Sequence, residues 1–192
     1  MPNLGVPPSF VIHMPRTLDI IGTTCRLRPL VPEDAESLAR NGDDHEIWLN
    51  LRDRFPHPYT RADAETYIAR VANQEPVTSL AIVVDGCAIG GISLRRGEDI
   101  ERVNAELGYW IGRAYWGRGI ITEAIRRATG HAFGALGLRR VFAVPFTRNV
   151  ASIRALEKAG YAREGTMRRS AVKDGELLDQ YLYAAYDDRW VR

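Results

Sequence analysis

The stretch from residue 104 to residue 146 constrains the fold more than any other part of the chain. It begins with a predicted strand, NAELGYWIG (104–112), and it ends with another, RRVFAVPF (139–146). Between them, apolar residues recur on one helical stripe from Ile120 onward until Gly137 stops the pattern. One helix must therefore cross between two strands, which is typical of a mixed α/β fold.

Both predicted strands contain a residue that disturbs pairing. An isolated glycine in a strand, here Gly108, often marks a bulge. Pro145 has no N–H group to donate, so pairing with a neighbouring strand should fail there. We therefore expect a bulge at residue 108 and a break in the sheet hydrogen bonds at residue 145.

The rest of the chain supplies hairpins and capped helices. Asp-Gly is the dipeptide that two-residue primed turns prefer, and it occurs at 85–86 and at 174–175, each time between strand patterns. Four residues are predicted to start, cap or stop helices: Pro32, Thr60, Asn149 and Gly160. With a further strand at 24–30, the predicted order is β-α-α-β-β-β-α-β-α-β-β.

Composition excludes several classes of protein. The 192 residues are 45% hydrophobic, as a single globular domain requires. Lys and Arg number 26 against 24 acidic residues, and a net charge of +2 gives no global field that would attract nucleic acid or a membrane surface. No apolar run is long enough to cross a bilayer. We therefore expect a soluble protein with neither partner.

The cysteines and the N-terminus bear on location. Cys25 and Cys87 show no paired spacing, which argues against a disulfide framework and a metal site and favours a reducing cytoplasm. Residues 1–23 are predicted to form an irregular arm; they have no basic start and several prolines, so they do not resemble a signal peptide. The folded domain is expected to span residues 24–192.

Two glycines, Gly117 and Gly119, lie directly ahead of the central helical pattern. Glycine tolerates positive φ and lets a ligand approach the backbone, so this loop predicts outward-facing N–H groups at a helix N-terminus, which suit an anion. A Walker A loop would need Gly-Lys-Ser/Thr here, and a dinucleotide loop would need glycine in place of Thr122. The sequence excludes both motifs, and with the first of them a nucleotide-dependent transferase.

Three segments resemble the GCN5-related N-acetyltransferases, and more closely the branch that includes ribosomal-protein N-terminal acetyltransferases: ELGYWIGRAYWGRGIITEA, NVASIRALEKAGY and KDGELLDQYLYA. LRDRFPHPYTRADAETYI is similar to that branch as well. The resemblance covers residues 24–186. It implies a single α/β domain whose central sheet is mostly antiparallel, twisted, flanked by helices and splayed between its fourth and fifth strands. Gly108 and Pro145 would make that splaying easy.

The resemblance implies acetyl-coenzyme A (acetyl-CoA) as co-substrate. Its pyrophosphate would bind the backbone amides of Gly117, Arg118, Gly119, Ile120, Ile121 and Thr122. Its pantetheine arm would contact the backbone of Trp110, Ile111 and Gly112 and the side chain of Asn149. Two positions depart from the family pattern, because Trp116 replaces Gln or Arg and Ile121 replaces a small residue that lets phosphate approach.

The resemblance also assigns catalytic groups. Glu106 matches a general base of relatives, and partial burial would raise its pKa; the alternative is an exposed carboxylate or an ion pair with an arginine such as Arg28. Ser152 would donate to the cofactor or to the leaving sulfur, or it is an ordinary first-turn serine. Leu156 stands where many relatives carry a tyrosine acid. The proton for the thiolate is therefore open between Ser152, water and the amine.

Three aromatic residues are assigned to the acceptor pocket, with packing of the first two helices as the alternative: Trp48, Phe55 and Tyr59. Residues 33–46 carry six acidic side chains and would suit a cationic acceptor if they border the site. The implied function is transfer of an acetyl group to a primary amine, of a protein N-terminus or a small molecule, by direct attack in a ternary complex. A homodimer is compatible with it. The alternative is an acyl-CoA-binding sensor module with little catalysis.

Overall fold

The computed structural model describes residues 18–190. Its strands are β1 (Ile20–Ile21), β2 (Arg26–Pro29), β3 (Ser79–Val84), β4 (Cys87–Arg96), β5 (Asn104–Ile111), β6 (Arg140–Ala143), β7 (Ala162–Lys173) and β8 (Glu176–Tyr186). Its α-helices are α1 (Ala35–Gly42), α2 (His45–Trp48), α3 (Arg61–Val71), α4 (Ile120–Gly134) and α5 (Val150–Ala159). The predicted order of elements is confirmed, with α2, the short β1 and a few 3-10 turns added.

All eight of these strands form one sheet, in the order β1-β2-β3-β4-β5-β6-β8-β7. Every neighbouring pair is antiparallel except β5 and β6, which are parallel and joined through α4. The predicted mixed α/β fold with a mostly antiparallel sheet is therefore confirmed. β1 lies within the segment predicted as an arm and was not counted among the predicted strands. The strands predicted as the fourth and fifth are therefore β5 and β6 of the structure. Residues 1–17 of that arm lie outside the described residues.

Two hairpins form at the Asp-Gly dipeptides, as predicted. Asp85 and Gly86 have φ values of 48° and 79°, and Asp174 and Gly175 have 51° and 76°. A primed turn needs positive φ at both central residues, which aspartate tolerates and glycine adopts without strain. The first turn joins β3 to β4, and the second joins β7 to β8.

The predicted helix caps are present. The side chains of Thr60 and Asn149 accept hydrogen bonds from backbone N–H groups of the first turns of α3 and α5. Gly160 closes α5 with a φ of 100°. The central helix is shorter than predicted, because α4 ends at Gly134 and the chain turns at Gly137, where φ is 64°.

The bulge predicted at Gly108 is wrong. The register of β4 and β5 runs without interruption through the pair Gly108 and Ser93, and the irregularity lies instead between Ile82 and Val83 of β3. β5 is held along its whole length by β4, so the glycine leaves the strand regular and only removes a side chain from one face. At Pro145 the prediction is confirmed only in part. The regular ladder between β6 and β8 stops at Ala143, but the Pro145 carbonyl still accepts the Tyr181 N–H at 3.0 Å and Phe146 forms an isolated bridge with Gln180.

Helices cover both faces of the sheet. Alternate residues of β3 belong to different clusters: Leu80 and Ile82 pack in the core beneath α4 and α5, whereas Ala81 and Val83 pack beneath α1 and α3. Successive side chains of a strand point to opposite faces, so these are two cores separated by the sheet. We call the two sides the α4/α5 face and the α1/α3 face.

Candidate active site

A gap opens in the sheet between β5 and β6. The two strands pair only where residues 104–106 face residues 140–142. Beyond Glu106, β5 continues to Ile111 with β4 as its only partner among the described strands, so its other edge is open in that part of the structure. The predicted splay therefore lies in the middle of the sheet, and a cavity of about 2640 Å³ follows it.

The open edge of β5 presents only alternate backbone groups. The Gly112 N–H donates to the Ile89 carbonyl of β4 at 2.8 Å, and the Gly112 carbonyl accepts from the Tyr115 N–H at 2.9 Å. Alternation turns the backbone of Trp110 toward β4 as well, and it turns Tyr109 and Ile111 toward the gap. Of the three predicted pantetheine contacts, Gly112 therefore has protein partners for both backbone groups, the backbone of Trp110 faces β4, and Ile111 faces the gap.

Ile111 keeps one of its two backbone groups for a ligand. Its carbonyl accepts the indole N–H of Trp116 at 2.9 Å, which ties the glycine loop to the end of β5. Its N–H faces the gap, as do the backbone groups of Tyr109. At the position where the family pattern has Gln or Arg, Trp116 thus makes a hydrogen bond within the protein. Tyr109 was not among the predicted pantetheine contacts, because the register with β4 decides which backbone groups face the gap and no local sequence pattern encodes that register.

The glycine loop has the conformation that the sequence predicts. Gly117 and Gly119 have φ values of 73° and 78°, and, the adjoining residues aside, no atom of residues 18–190 would lie within 4 Å of a Cβ at either position. The hydrogen bond from the Glu123 N–H to the Gly119 carbonyl opens the ladder of α4, so the preceding amides keep their donors free. Ile121 borders the cavity but packs on the core, which draws its side chain toward the protein.

Glu123, in the first turn of α4, holds a neighbouring wall of the cavity. Its carboxylate accepts the backbone N–H groups of Thr23 and Thr24, both at 2.6 Å, and the hydroxyl of Thr24 at 2.5 Å. Burial alone would raise the pKa of Glu123, but these bonds outweigh it and lower the pKa to about 2. We call the bonds from Thr23 and Thr24 to Glu123 the Glu123 clamp. The sequence offered one indication of it, because an acidic residue in the first turn of a helix is favoured by the helix dipole.

On α5, three predicted residues take different positions. The side-chain oxygen of Asn149 accepts the Ser152 N–H at 3.1 Å, which leaves the Asn149 amide N–H groups for a ligand. The Ser152 hydroxyl lies 2.7 Å from the Tyr109 hydroxyl. The side chains of Asn149, Ser152 and Tyr109 all border the cavity. Leu156 is fully buried in the core, so no group of that residue reaches the gap.

Glu106 lies on the opposite side of β5 from Tyr109. One carboxylate oxygen pairs with Arg52 and the other with Arg95, while Arg28 pairs with Asp34 at 2.7 Å. Burial raises the pKa of Glu106, but the two guanidinium groups outweigh burial and the net pKa is lowered. The expected rise is therefore wrong, because the sequence did not show that two arginines converge on this carboxylate.

The α1/α3 face of the gap has aromatic walls and a floor of small residues. Phe55 stacks on Tyr59 with ring centroids 4.3 Å apart, and Trp110 meets the edge of Phe55 at 5.3 Å. Both predicted acceptor residues Phe55 and Tyr59 border the cavity, although Tyr59 is largely core. The floor consists of Gly91, Ser93 and Gly108, which share this face with Glu106 and Trp110 by strand alternation.

Trp48 does not border the cavity, so its assignment to the acceptor pocket is wrong. Its ring packs against the ammonium group of Lys173, 3.7 Å from the ring centroid. Lys173 is 1% exposed and pairs with Asp53 at 2.8 Å. Trp48 therefore fixes the loop after α2 to the end of β7.

The acidic segment 33–46 does not line the site as expected. Of its acidic side chains only Glu46 borders the cavity, and Asp34 is buried against Arg28. Basic side chains are more numerous at this end of the cavity: Arg52, Arg54, Arg95 and Arg148. This acidic segment therefore gives no support for a cationic acceptor.

Neither a metal cluster nor a membrane span was found between residues 18 and 190. No group of three or more His, Cys, Asp or Glu side chains in that range could hold a metal ion. None of its helices is long and apolar enough to cross a membrane.

The cavity joins free N–H groups at a helix N-terminus to an open strand edge, the layout expected of the N-acetyltransferases that the sequence resembles. The chain belongs to the GNAT acetyltransferase family: residues 25–162 match the family model described as "Acetyltransferase (GNAT) domain". It is therefore an acetyltransferase.

Relatives and solved structures agree with this family. "Probable N-acetyltransferase YjcK" of Bacillus subtilis is 32% identical over 170 residues, 85% of this chain and 94% of that protein. "Ribosomal-protein-serine acetyltransferase" of Escherichia coli is 30% identical over 100 residues, 52% of this chain and 55% of that protein. The structure of Mycobacterium smegmatis RimJ "in complex with CoA-disulfide" has a TM-score of 0.78 at 22% identity and covers 88% of this chain and 84% of that one.

Proposed function

We propose that this protein transfers an acetyl group from acetyl-CoA to a primary amine by direct attack in a ternary complex. The observation that carries the proposal is that the loop of Gly117 and Gly119 and the gap after Glu106 open on one cavity. A solved structural neighbour is described in complex with CoA-disulfide, which supports the choice of cofactor. The amine belongs to a protein N-terminus or a small molecule, and a relative named for a ribosomal protein supports the former.

The donor enters from the α4/α5 face. Its pyrophosphate binds the free amides of residues 117–122, where helix dipole and N–H groups both favour an anion. Its pantetheine arm lies along the open edge of β5, where the backbone of Tyr109 and the N–H of Ile111 replace the missing strand partner. The Asn149 amide N–H groups add a further donor from α5.

The amine approaches from the α1/α3 face, past Phe55 and Trp110. Its nitrogen bonds to the acetyl carbon, the carbon–sulfur bond breaks, and the electron pair stays on sulfur. The nitrogen gives up one proton to the ionised Glu106, directly or through water, and water passes that proton on to the sulfur. The products are an amide and a free thiol, and Glu106 is ionised again. Ser152 donates a hydrogen bond to the thiolate as it forms.

Calorimetric titration of acetyl-CoA tests the donor site. Gly119→Val should weaken binding at least about 100-fold, because a branched side chain at positive φ disturbs the loop amides. Gly86→Val is the matched control. Gly86 also has a positive φ and open space around its Cβ position, but it lies in the β3–β4 turn. Equal affinity of Gly119→Val and wild type would remove the assignment of the loop.

Release of free thiol over a panel of amines and N-terminal peptides tests the chemistry. Glu106→Gln should keep acetyl-CoA binding and slow transfer roughly 10- to 100-fold, with partial recovery at high pH, where more amine is neutral. Tight binding of acetyl-CoA without turnover on any amine would favour the sensor module instead.

A further inference from the structure

Two hydroxyl groups meet at the gap, that of Tyr109 on β5 and that of Ser152 on α5, 2.7 Å apart. Within residues 18–190, each side-chain hydroxyl has the other as its one recorded hydrogen-bond partner. Two hydroxyls that share one hydrogen bond leave one proton over. Which residue keeps that proton decides what the pair can do for a ligand.

At this distance either hydroxyl could be the donor, and relative acidity favours Tyr109. A phenol, with a pKa of about 10, is a stronger acid than an aliphatic alcohol and therefore the better donor. Burial raises the pKa of Tyr109 further, so its proton stays in place at neutral pH and needs an acceptor. The Ser152 oxygen is that acceptor. The proton of Ser152 is then the one left over, and it can turn toward the cavity.

A second pair in the same protein shows what happens when no ligand is involved. The hydroxyls of Tyr161 and Thr129 lie 2.6 Å apart in the core, and Thr129 also donates to the Ile125 carbonyl at 2.8 Å. The hydroxyl proton of Thr129 is thus used in a hydrogen bond within the protein. Ser152 has the same kind of tyrosine partner, but its hydroxyl has no carbonyl acceptor within residues 18–190, and it borders the cavity.

We infer that Tyr109 is a positioning residue: its hydroxyl fixes the Ser152 hydroxyl as a hydrogen-bond donor toward the sulfur that leaves during acetyl transfer. The inference rests on the proposed function. A chain from phenol to alcohol to thiolate strengthens each bond in turn. No proton leaves the pair, since the sulfur keeps the electron pair of the broken bond and takes its proton from the amine by way of water.

Steady-state kinetics of four variants test the inference. Tyr109→Phe should lower kcat roughly tenfold with the KM for acetyl-CoA within about twofold, because the donor it supports acts on a charge formed late. Ser152→Ala should lower kcat further. In the Ser152→Ala background, Tyr109→Phe should add nothing, since it acts through that serine. Tyr161→Phe is the matched control, and it should lose similar thermal stability while kcat stays at the wild-type value.

A titration of enzyme-bound CoA gives a readout that needs no amine. The thiolate absorbs in the ultraviolet, so its formation can be followed against pH. Wild type should lower the thiol pKa by about one unit from its ordinary value, and Tyr109→Phe should raise it again. Tyr161→Phe should match wild type.

The outcomes separate the two proposals. Wild type that neither binds acetyl-CoA nor releases thiol refutes the proposed function, and the role of Tyr109 with it. Turnover by wild type with an unchanged kcat in Tyr109→Phe, or with equal losses in both tyrosine variants, overturns the role of Tyr109 alone. Additive losses in the double variant do the same, because they show that Tyr109 acts independently of Ser152.

Discussion

The two ends of the cavity are built by different means. On the α4/α5 face, the groups offered to a ligand are mostly backbone: loop amides after Gly117 and the open edge of β5. On the α1/α3 face they are side chains, above all Glu106 between Arg52 and Arg95 and the stacked Phe55. The first end is shaped by local conformation, and the second depends on residues that meet only in the folded chain.

The largest effect should come from Gly108→Leu, which tests whether the two ends are separable. A Cβ atom at residue 108 would meet the Ser93 hydroxyl oxygen at 3.4 Å, which is an ordinary contact. We expect the rest of a leucine side chain to fill the floor beside Glu106. We expect acetyl transfer to fall at least about 100-fold, since small displacements of a reactant cost that much. Affinity for acetyl-CoA, measured by calorimetry, should stay within about twofold of wild type.

Gly165→Leu, at an open glycine of β7, is the control and should leave transfer unchanged. If Gly108→Leu weakens acetyl-CoA as much as it weakens transfer, the two ends are not separate.

Glu123→Gln tests how the backbone end is held in place. The folded protein lowers the pKa of Glu123 from 4.5 to about 2, so its stabilisation is present above pH 4.5 and is lost as the pH falls toward 2. Allowing for solvent screening, we expect about 1–2 kcal/mol from this carboxylate. Urea unfolding at pH 6 should show this loss in the variant, and near pH 2 variant and wild type should converge.

Glu65→Gln serves as the control, because Glu65 is an exposed helical carboxylate paired only with Arg61. A stability difference between wild type and Glu123→Gln that persists unchanged near pH 2 would show that the clamp is not electrostatic.

Arg95→Gln sharpens the electrostatic side of the comparison. Arg95 is one of two guanidinium groups that lower the pKa of Glu106, so its removal should raise that pKa. The acidic limb of the pH profile of kcat/KM should then move to higher pH. Arg96→Gln, at the next residue, should leave the limb in place. A limb that does not move with Arg95→Gln would mean that Glu106 is not the group that titrates.

The smallest effect should come from Trp116→Phe, which removes the indole N–H bound to the Ile111 carbonyl. One neutral hydrogen bond contributes about 1 kcal/mol, so acetyl-CoA affinity should weaken about threefold to fivefold. Trp48→Phe, outside the cavity, should not change that affinity. An unaltered dissociation constant for Trp116→Phe would show that the loop keeps its shape without this tie.

The same contrast explains what could be predicted from sequence. Gly117, Gly119 and the two Asp-Gly turns were predictable because positive φ is a local demand that few residues meet. The Asn149 cap was predictable because its partner lies three residues away. The splay followed from a resemblance alone, because the backbone of Pro145 faces β8 and not β5.

What the sequence could not show involves residues far apart in the chain. Arg52 lies 54 residues from Glu106, so the lowered pKa of that carboxylate had no local signal. Tyr109 and Ser152 are 43 residues apart, and the strand parity that exposes the Tyr109 backbone depends on register with β4. Trp48 looked like a pocket residue because aromatic composition does not tell which neighbour a ring will meet.

Lys173 binds Asp53 and the face of Trp48 across 120 residues of chain, with its ammonium group almost entirely out of water. Separating the hairpin from the loop would leave the buried ammonium group of Lys173 without its carboxylate partner. This ion pair therefore couples the loop after α2 to the tip of the β7–β8 hairpin. A bulky molecule that displaces the loop must therefore also displace the hairpin tip. The loop and the hairpin tip should move together or stay in place together.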